Sequence, residues 1–292
     1  MEGRIFYGRG HASNPNTASL KAIVESLERA ICLEHVDSTN GVAAHLFEKN
    51  ARDNAKKERL ERDHFLSHFF LQHPFIPRSD LISFIPATVI ADIIENGHRI
   101  DFFTSSESNQ GKCIVCLISG TNGSPKFGGI LGLCFFDPSE SSVRQPTEKA
   151  MLEAYRQYWN LRETGSLTET HDLESFQKIH APSFQDHLRL ALNTQYFEQI
   201  AYLFPKYLIE SPMAKVSVVY SEHAYKWKRL ISKKEILKDC PLFIVCCEIL
   251  GSQNLFRGVG SKNKINNIGL ARFTKGLEFN RDMLNLLPHP LG

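Results

Sequence analysis

The sequence predicts a mixed α/β (α+β) protein. Charged or amphipathic stretches of helical length recur at 47–70, 147–162 and 184–204. Compact apolar runs bounded by turn residues, Cys113 to Ser119, Gly129 to Phe136 and Leu242 to Leu250, read as buried strands. The two kinds interleave along the chain, as expected of mixed sheets packed with helices. At 292 residues the chain can bury a sizeable core, and it is read as one compact domain over 1–292.

The elements follow in order. Gly8-Arg9-Gly10-His11-Ala12-Ser13-Asn14-Pro15 is loop-like, and Asn16 or Thr17 can cap a helix running to about Leu33. Ser38-Thr39-Asn40-Gly41 is a turn. A second, charged helix runs from about Phe47 to Phe70 and is ended by Pro74 and Pro77. Residues 80–104 read as a short strand and then a helix around Ala87 to Glu95. The strands at 113–119 and 129–136 are joined by a Thr121-Asn122-Gly123 turn. After Pro146 comes a third strong helix, Thr147 to Arg162. The tract 163–183 is polar and loop-like; helices follow at 184–204 and 233–238. Val216 to Tyr220 and Leu242 to Leu250 read as strands, and the end, with Pro288-His289-Pro290, as extended chain.

Composition bounds the function. Hydrophobic content of 42% and charged content of 23% are ordinary for a globular protein, and a net charge of +2 gives no nucleic-acid signature. No apolar run is long enough for a membrane helix and no secretory signal is visible, so the expected compartment is the cytoplasm. The seven cysteines lie mostly in apolar runs. Cys113-Ile114-Val115-Cys116 lacks a second pair at zinc-ribbon spacing and reads, like Cys246-Cys247, as reduced cysteines in a core. His64 and His68 can share a helix face, but Phe65 stands where a zincin motif needs glutamate.

Two Glu-x-x-Glu-Arg segments stand out: Glu25-Ser26-Leu27-Glu28-Arg29 and Glu58-Arg59-Leu60-Glu61-Arg62. In a helix, residues three apart share a face, so each segment sets two carboxylates side by side with an arginine at the edge. Paired acids suit a hard divalent cation, and arginines suit phosphate oxygens. The plainer reading is a solvated face with local ion pairs.

The company these segments keep resembles the YcaO family. Gly8-Arg9-Gly10, then Ala18 and Lys21 to Arg29, is similar to the family's first nucleotide motif, a glycine-lysine-glycine loop before an E-x-x-E-R helix. Ser38-Thr39-Asn40-Gly41-Val42-Ala43-Ala44, then Ala51 and Glu58 to Asp63, resembles its second, an S-N-G-x-A-A turn feeding a helix that ends E-x-x-E-R-D. Lys149-Ala150-Met151-Leu152-Glu153-Ala154 resembles the R-A-L-x-E-A helix. Pro288-His289-Pro290-Leu291 looks like the proline-rich tail of azoline-forming members.

The resemblance implies a YcaO-like fold of mixed sheets, with the motif helices converging on an ATP cleft. It implies ATP held through magnesium, with Glu25, Glu28, Glu58, Glu61 and Glu153 as metal or metal-water ligands. Arg62 and Lys149 would face phosphates; Arg9, Lys21, Arg29 and Asn40 are further nucleotide candidates, Arg29 alternatively pairing with the acids. In the family, ATP phosphorylates a backbone amide oxygen of a precursor peptide after a neighbouring nucleophile attacks the amide carbon. The end of the tail, Gly292, would assist proton transfer through its carboxylate. The implied partners are the precursor peptide, a separate leader-peptide-binding protein and an FMN-dependent dehydrogenase, as in microcin B17-type synthases; nucleic acid and membrane are not expected. The sequence departs from the family at Asn50-Ala51, where an E-A pair is usual, and at Leu46, where asparagine is usual. Lys21 and Lys149 replace a serine and an arginine, and the link from Ala30 to Asp37 is short. Alternatives are thioamide or amidine formation, a scaffold whose metal site has decayed, or an unrelated ATP-dependent enzyme. The last is disfavoured as a P-loop protein or α/β-hydrolase, because neither signature is present.

Overall fold

The computed structural model describes residues 8, 14–32, 34–35, 40–120, 127–206, 218–231, 241–253, 260, 265–274 and 281–291. The expected helix at 233–238 and the Thr121-Asn122-Gly123 turn lie outside them. The chain divides into two compact units, Met1–Leu60 with Ser221–Ser252, and Glu61–Tyr220 with Gln253–Gly292.

The first unit holds α1 (Pro15–Cys32), β1 (Val42–His45), the start of α2 (Glu48–Phe70), β6 (Tyr225–Leu230) and β7 (Phe243–Ile249). Its antiparallel sheet has the order β1-β7-β6. Ile31, Cys32, Val42, Leu230, Ile244 and Cys246 form its core. In β6, aromatic and basic residues alternate, and basic residues of α2 meet the aromatics: Arg52 lies over Trp227 and Lys56 over Tyr225. Gly41 takes a left-handed φ of 75° before β1, and its carbonyl accepts the Cys247 N–H at 2.7 Å. A side chain there would meet the Cys247 carbonyl, so the turn requires glycine.

The second unit is built on a four-stranded antiparallel sheet of order β2-β3-β4-β5, comprising Ile76–Pro77, His98–Thr104, Lys112–Gly120 and Gly129–Phe136. β4 is buried on both faces. Cys113, Val115 and Leu117 point into one core with Phe65, Phe69, Leu190 and Tyr196, while Ile114, Cys116 and Ile118 point into another with Met151, Ala154 and Tyr158 of α4 (Arg144–Glu163). Period-2 alternation therefore puts Cys113 and Cys116 on opposite faces, and the C-x-x-C cannot chelate. The six described cysteines are free. Around the sheet lie α3 (Ala87–Glu95), α5 (Leu173–Gln177), α6 (Phe184–Leu192), α7 (Thr194–Ile200) and α8 (Asn267–Phe273).

The mixed class and the strong helices agree with the sequence reading, and several details correct it. The tract 163–183 is not all loop: Asp172 caps α5 by accepting the Ser175 N–H. The expected helix at 184–204 is interrupted, because Asn193 ends α6 and caps α7 through the Tyr196 N–H. α4 begins at Arg144, ahead of Pro146, which its first turn tolerates. β1, β3, β6 and α8 were not anticipated. Val218 makes only an isolated bridge to Ser108.

Candidate nucleotide and metal site

In the first unit the predicted acids sit on α1 and α2. Glu28 reaches from α1 to β1, where its Oε2 accepts the Ala44 N–H at 2.8 Å. Burial, joined by the nearby Glu25 charge, raises its pKa from 4.5 to about 7, against the opposing Ala44 N–H and Arg29. Glu25 pairs with Arg29 one turn on, at 2.6 Å, so Arg29 sits with the acids. Glu28 and Glu58 both act on the Cys32 thiol, which burial first of all pushes up to about 12. Lys21 is exposed one turn before Glu25, and Asn40 is buried in the turn before β1. Gly8 lies so close to α1 that a Cβ would overlap the Ala22 carbonyl. Asn50 is exposed and lies 3.4 Å from His45 Nε2.

In the second unit the structure brings Glu61, Arg62, Lys149 and Glu153 together. The Arg62 guanidinium lies 3.6 Å from Glu61 and 3.7 Å from Glu153, distances of ion pairing rather than short hydrogen bonds. The other Glu153 oxygen, Oε2, accepts the Leu133 N–H of edge strand β5 at 2.7 Å. Glu61, Glu153 and Lys149 all bear on the Cys134 thiol, pushed up to about 12 mainly by burial. α4 can carry Glu153 this close because Gly132 has no side chain: a Cβ there would lie 2.0 Å from the Ala150 carbonyl.

Beside this group the sequence reading passed over a buried polar network. Asp63, the last residue of the second motif, is fully buried and accepts from Tyr220 Oη at 2.8 Å and the Gln253 N–H at 2.6 Å. His64 Nδ1 meets Ser105 Oγ at 2.8 Å, and His68 Nε2 accepts the Ser106 N–H at 3.0 Å. Burial lowers the pKa of both histidines to about 3. In the first unit, the buried Arg59 donates to Ser252 Oγ at 2.8 Å. Position within the motifs was the available signal for Asp63 and Arg59; their partners come from far along the chain.

Arg9 and Gly292 lie outside the described residues. The tail before Gly292 is docked: His187 Nδ1 donates to the His289 carbonyl at 2.8 Å, the two imidazoles stack at 4.4 Å, and Tyr196 Oη donates to the Pro288 carbonyl. Among the described residues, no three His, Cys, Asp or Glu side chains are grouped tightly enough to hold a metal. The donor chemistry nonetheless fits magnesium: the candidates are hard carboxylate oxygens, and Glu28 is a carboxyl whose burial a cation would offset.

No protein-family model matches this sequence, and no curated protein matches it. Many solved structures are similar in three dimensions, among them the following three. A heterocyclase solved in complex with substrate and cofactor aligns with a TM-score of 0.58 at 10% identity, over 97% of this chain and 35% of that one. The E. coli microcin synthetase McbBCD complex with pro-MccB17 bound gives 0.49 at 14% identity, over 84% and 62%. YcaO from Methanopyrus kandleri, bound with AMPPCP and Mg2+, gives 0.48 at 13% identity, over 84% and 78%. The chain spans about a third of the first of these. Its mixed fold with antiparallel sheets matches the aligned part of the heterocyclase. At 10% identity the likeness is one of fold.

Proposed function

We propose that this chain is an ATP-dependent, YcaO-type cyclodehydratase subunit that installs thiazoline or oxazoline rings in a precursor peptide. The observation that carries this reading is the meeting of Glu61 and Arg62 of α2 with Glu153 of α4, residues that the motifs singled out independently. Glu25, Glu28, Glu58, Glu61 and Glu153 are assigned to magnesium, and Arg62, Lys149, Lys21 and Asn40 to phosphate oxygens, with Arg9 and Arg29 in reserve. When bound, magnesium-ATP supplies the phosphoryl group that turns the peptide's amide oxygen into a leaving group. The protein's share is positioning and charge neutralisation. Arg62 is already placed to meet negative charge, and Glu153 is oriented by its bond to the β5 backbone. The residues 1–292 act as one catalytic domain in the cytoplasm. Partners in this reading are the precursor peptide, a leader-binding protein and an FMN-dependent dehydrogenase.

A second reading, a scaffold that has lost catalysis, is favoured by Asn50, which is exposed and neutral where the family has an acid. One experiment separates the two. Isothermal titration of the chain with ATP should give magnesium-dependent binding that Glu153→Gln weakens. Absence of binding with magnesium and partner protein present, together with no gain in Asn50→Glu, establishes the scaffold reading.

A further inference from the structure

β6 is an edge strand of the first unit's sheet, which runs β1-β7-β6. Two bonds fix the direction of its backbone groups. The Leu250 N–H donates to the Ala224 carbonyl at 2.8 Å, and the Cys247 N–H to the Gly41 carbonyl at 2.7 Å. In an antiparallel ladder both backbone groups of one residue face the same neighbour, and successive residues alternate. Ala224, Lys226 and Lys228 therefore turn to β7, while Tyr225, Trp227 and Arg229 turn to the other side. Among the described residues, nothing bonds the Trp227 or Arg229 backbone on that side. Beyond Arg229 the edge is closed, because His35 Nε2 donates to the Ile231 carbonyl at 2.6 Å. Lys226, Lys228 and Arg229 are all exposed, so the open stretch meets solvent.

The two faces of this edge differ. Lys226 and Lys228 share one with Leu230, which enters the core with Ile31 and Cys32 of α1. Tyr225, Trp227 and Arg229 share the other, where α2 lays Lys56 over Tyr225 and Arg52 over Trp227. Some of the cations already have company. Arg52 is held by Glu48 at 2.8 Å, and Glu248 stands across from Lys226. Lys228 bears on the Cys246 thiol, which burial keeps neutral. Arg229 lies over the Phe243 ring at 4.6 Å. Among the described residues, neither Lys228 nor Arg229 meets a carboxylate. A second copy pairing edge to edge about Trp227 would set Lys226 against Lys228 twice, and like charges directly opposite are destabilising. The charges admit an acidic strand instead.

We propose that the β6 edge binds an extended acidic peptide as an added antiparallel strand. Main-chain bonds to Trp227 and Arg229 provide the register, and side chains across the new ladder provide the specificity. Two successive acids stand opposite Arg229 and Lys228, one on each face, and a β-branched residue stands opposite Trp227. The site uses none of the nucleotide candidates and needs no ATP; it draws on the peptide-modifying reading only for the origin of the peptide. The competing account is that the lysines merely blunt an edge that would otherwise aggregate.

The test is fluorescence polarisation with the full chain in low-salt, ATP-free buffer. The probe is a dye-labelled octapeptide with blocked ends and a central Glu-Glu-Val-Thr. One twin has Lys-Lys-Val-Thr. Two more carry an N-methyl group, on the valine, whose N–H would face β6, or on the threonine, whose N–H would face away. The parent should bind. The lysine twin should bind about tenfold more weakly, as for two exposed charge pairs. N-methylvaline should abolish binding and N-methylthreonine should not. The double variant Lys228→Glu with Arg229→Glu changes only exposed side chains; it should melt like the parent protein and prefer the lysine twin. Absence of parent binding leaves a blunted edge and overturns the inference. Equal loss with either N-methyl group, an unchanged preference in the double variant, or displacement of the probe by a single-stranded DNA octamer also overturns it. So does a dimer in sedimentation velocity with no peptide bound, which gives the edge to a second copy. If magnesium-ATP binding persists in any of those cases, the nucleotide reading stands and this one alone fails.

Discussion

Replacing Gly132 by alanine tests how tightly α4 must lie on β5 for the acid group to exist. Gly132 pairs with Cys116 inside the sheet and faces the α4 backbone. An added Cβ would sit 2.0 Å from the Ala150 carbonyl, 2.5 Å from the Ala154 nitrogen and 3.0 Å from its Cβ. Real Cβ contacts do not fall below 3.0 Å, so helix and strand must separate by the difference, 3.0 − 2.0, or about 1 Å. The obstacle is helix backbone rather than a flexible side chain, so the cost belongs at the upper end of overpacking, about 3 kcal/mol. The same shift stretches the 2.7 Å bond from Leu133 to Glu153 beyond hydrogen-bond range and moves Lys149 with it. Misplacing a binding group by 1 Å can cost on the order of 100-fold. Urea unfolding should show the lost stability, and titration with magnesium-ATP should show affinity weakened by at least about tenfold. A Gly132→Ala protein within about 0.5 kcal/mol of the parent, with unchanged nucleotide affinity, would refute the reasoning, because α4 would then not be held by this contact.

Other expectations follow from single observations. Gly165→Ala meets nothing within 4 Å, but Gly165 has a φ of 69°; it should lose about 1 kcal/mol through backbone strain and leave nucleotide binding untouched. Because His68 is held neutral with a pKa lowered from 6.5 to about 3, its stabilisation is complete above pH 6.5 and is lost as pH falls toward 3. At pH 4.5 the two-unit interval amounts to about 3 kcal/mol; urea midpoints at pH 7.5 and 4.5 should show it, and His68→Gln should reduce the difference. Tyr196→Phe leaves the buried Pro288 carbonyl without its donor, at about 1–3 kcal/mol; hydrogen exchange should speed up at 287–291, and unchanged protection would mean the hydroxyl does not hold the tail. Asn50→Glu restores a charged ligand to the second motif helix, and calorimetry should find magnesium-ATP bound more tightly.

The sequence by itself determined the mixed class, the three helices that carry the acids, the turn that needs Gly41 and the buried character of β4. Each of these is a local property: the spacing of apolar residues, a capping or turn residue, or a steric demand at one position. Tertiary structure decided which charges meet. Glu153 finds the Leu133 N–H 20 residues away, and Asp63 is held by Tyr220 and Gln253, 157 and 190 residues further along. Nothing in a short window encodes such partners, because they are set by how strands and helices stack. β3 shows the same division. Its alternation from His98 to Thr104 is present in the sequence, but the cavity beside it arises only where β2 stops after two residues and Phe204 and Lys206 pack in from a distant segment.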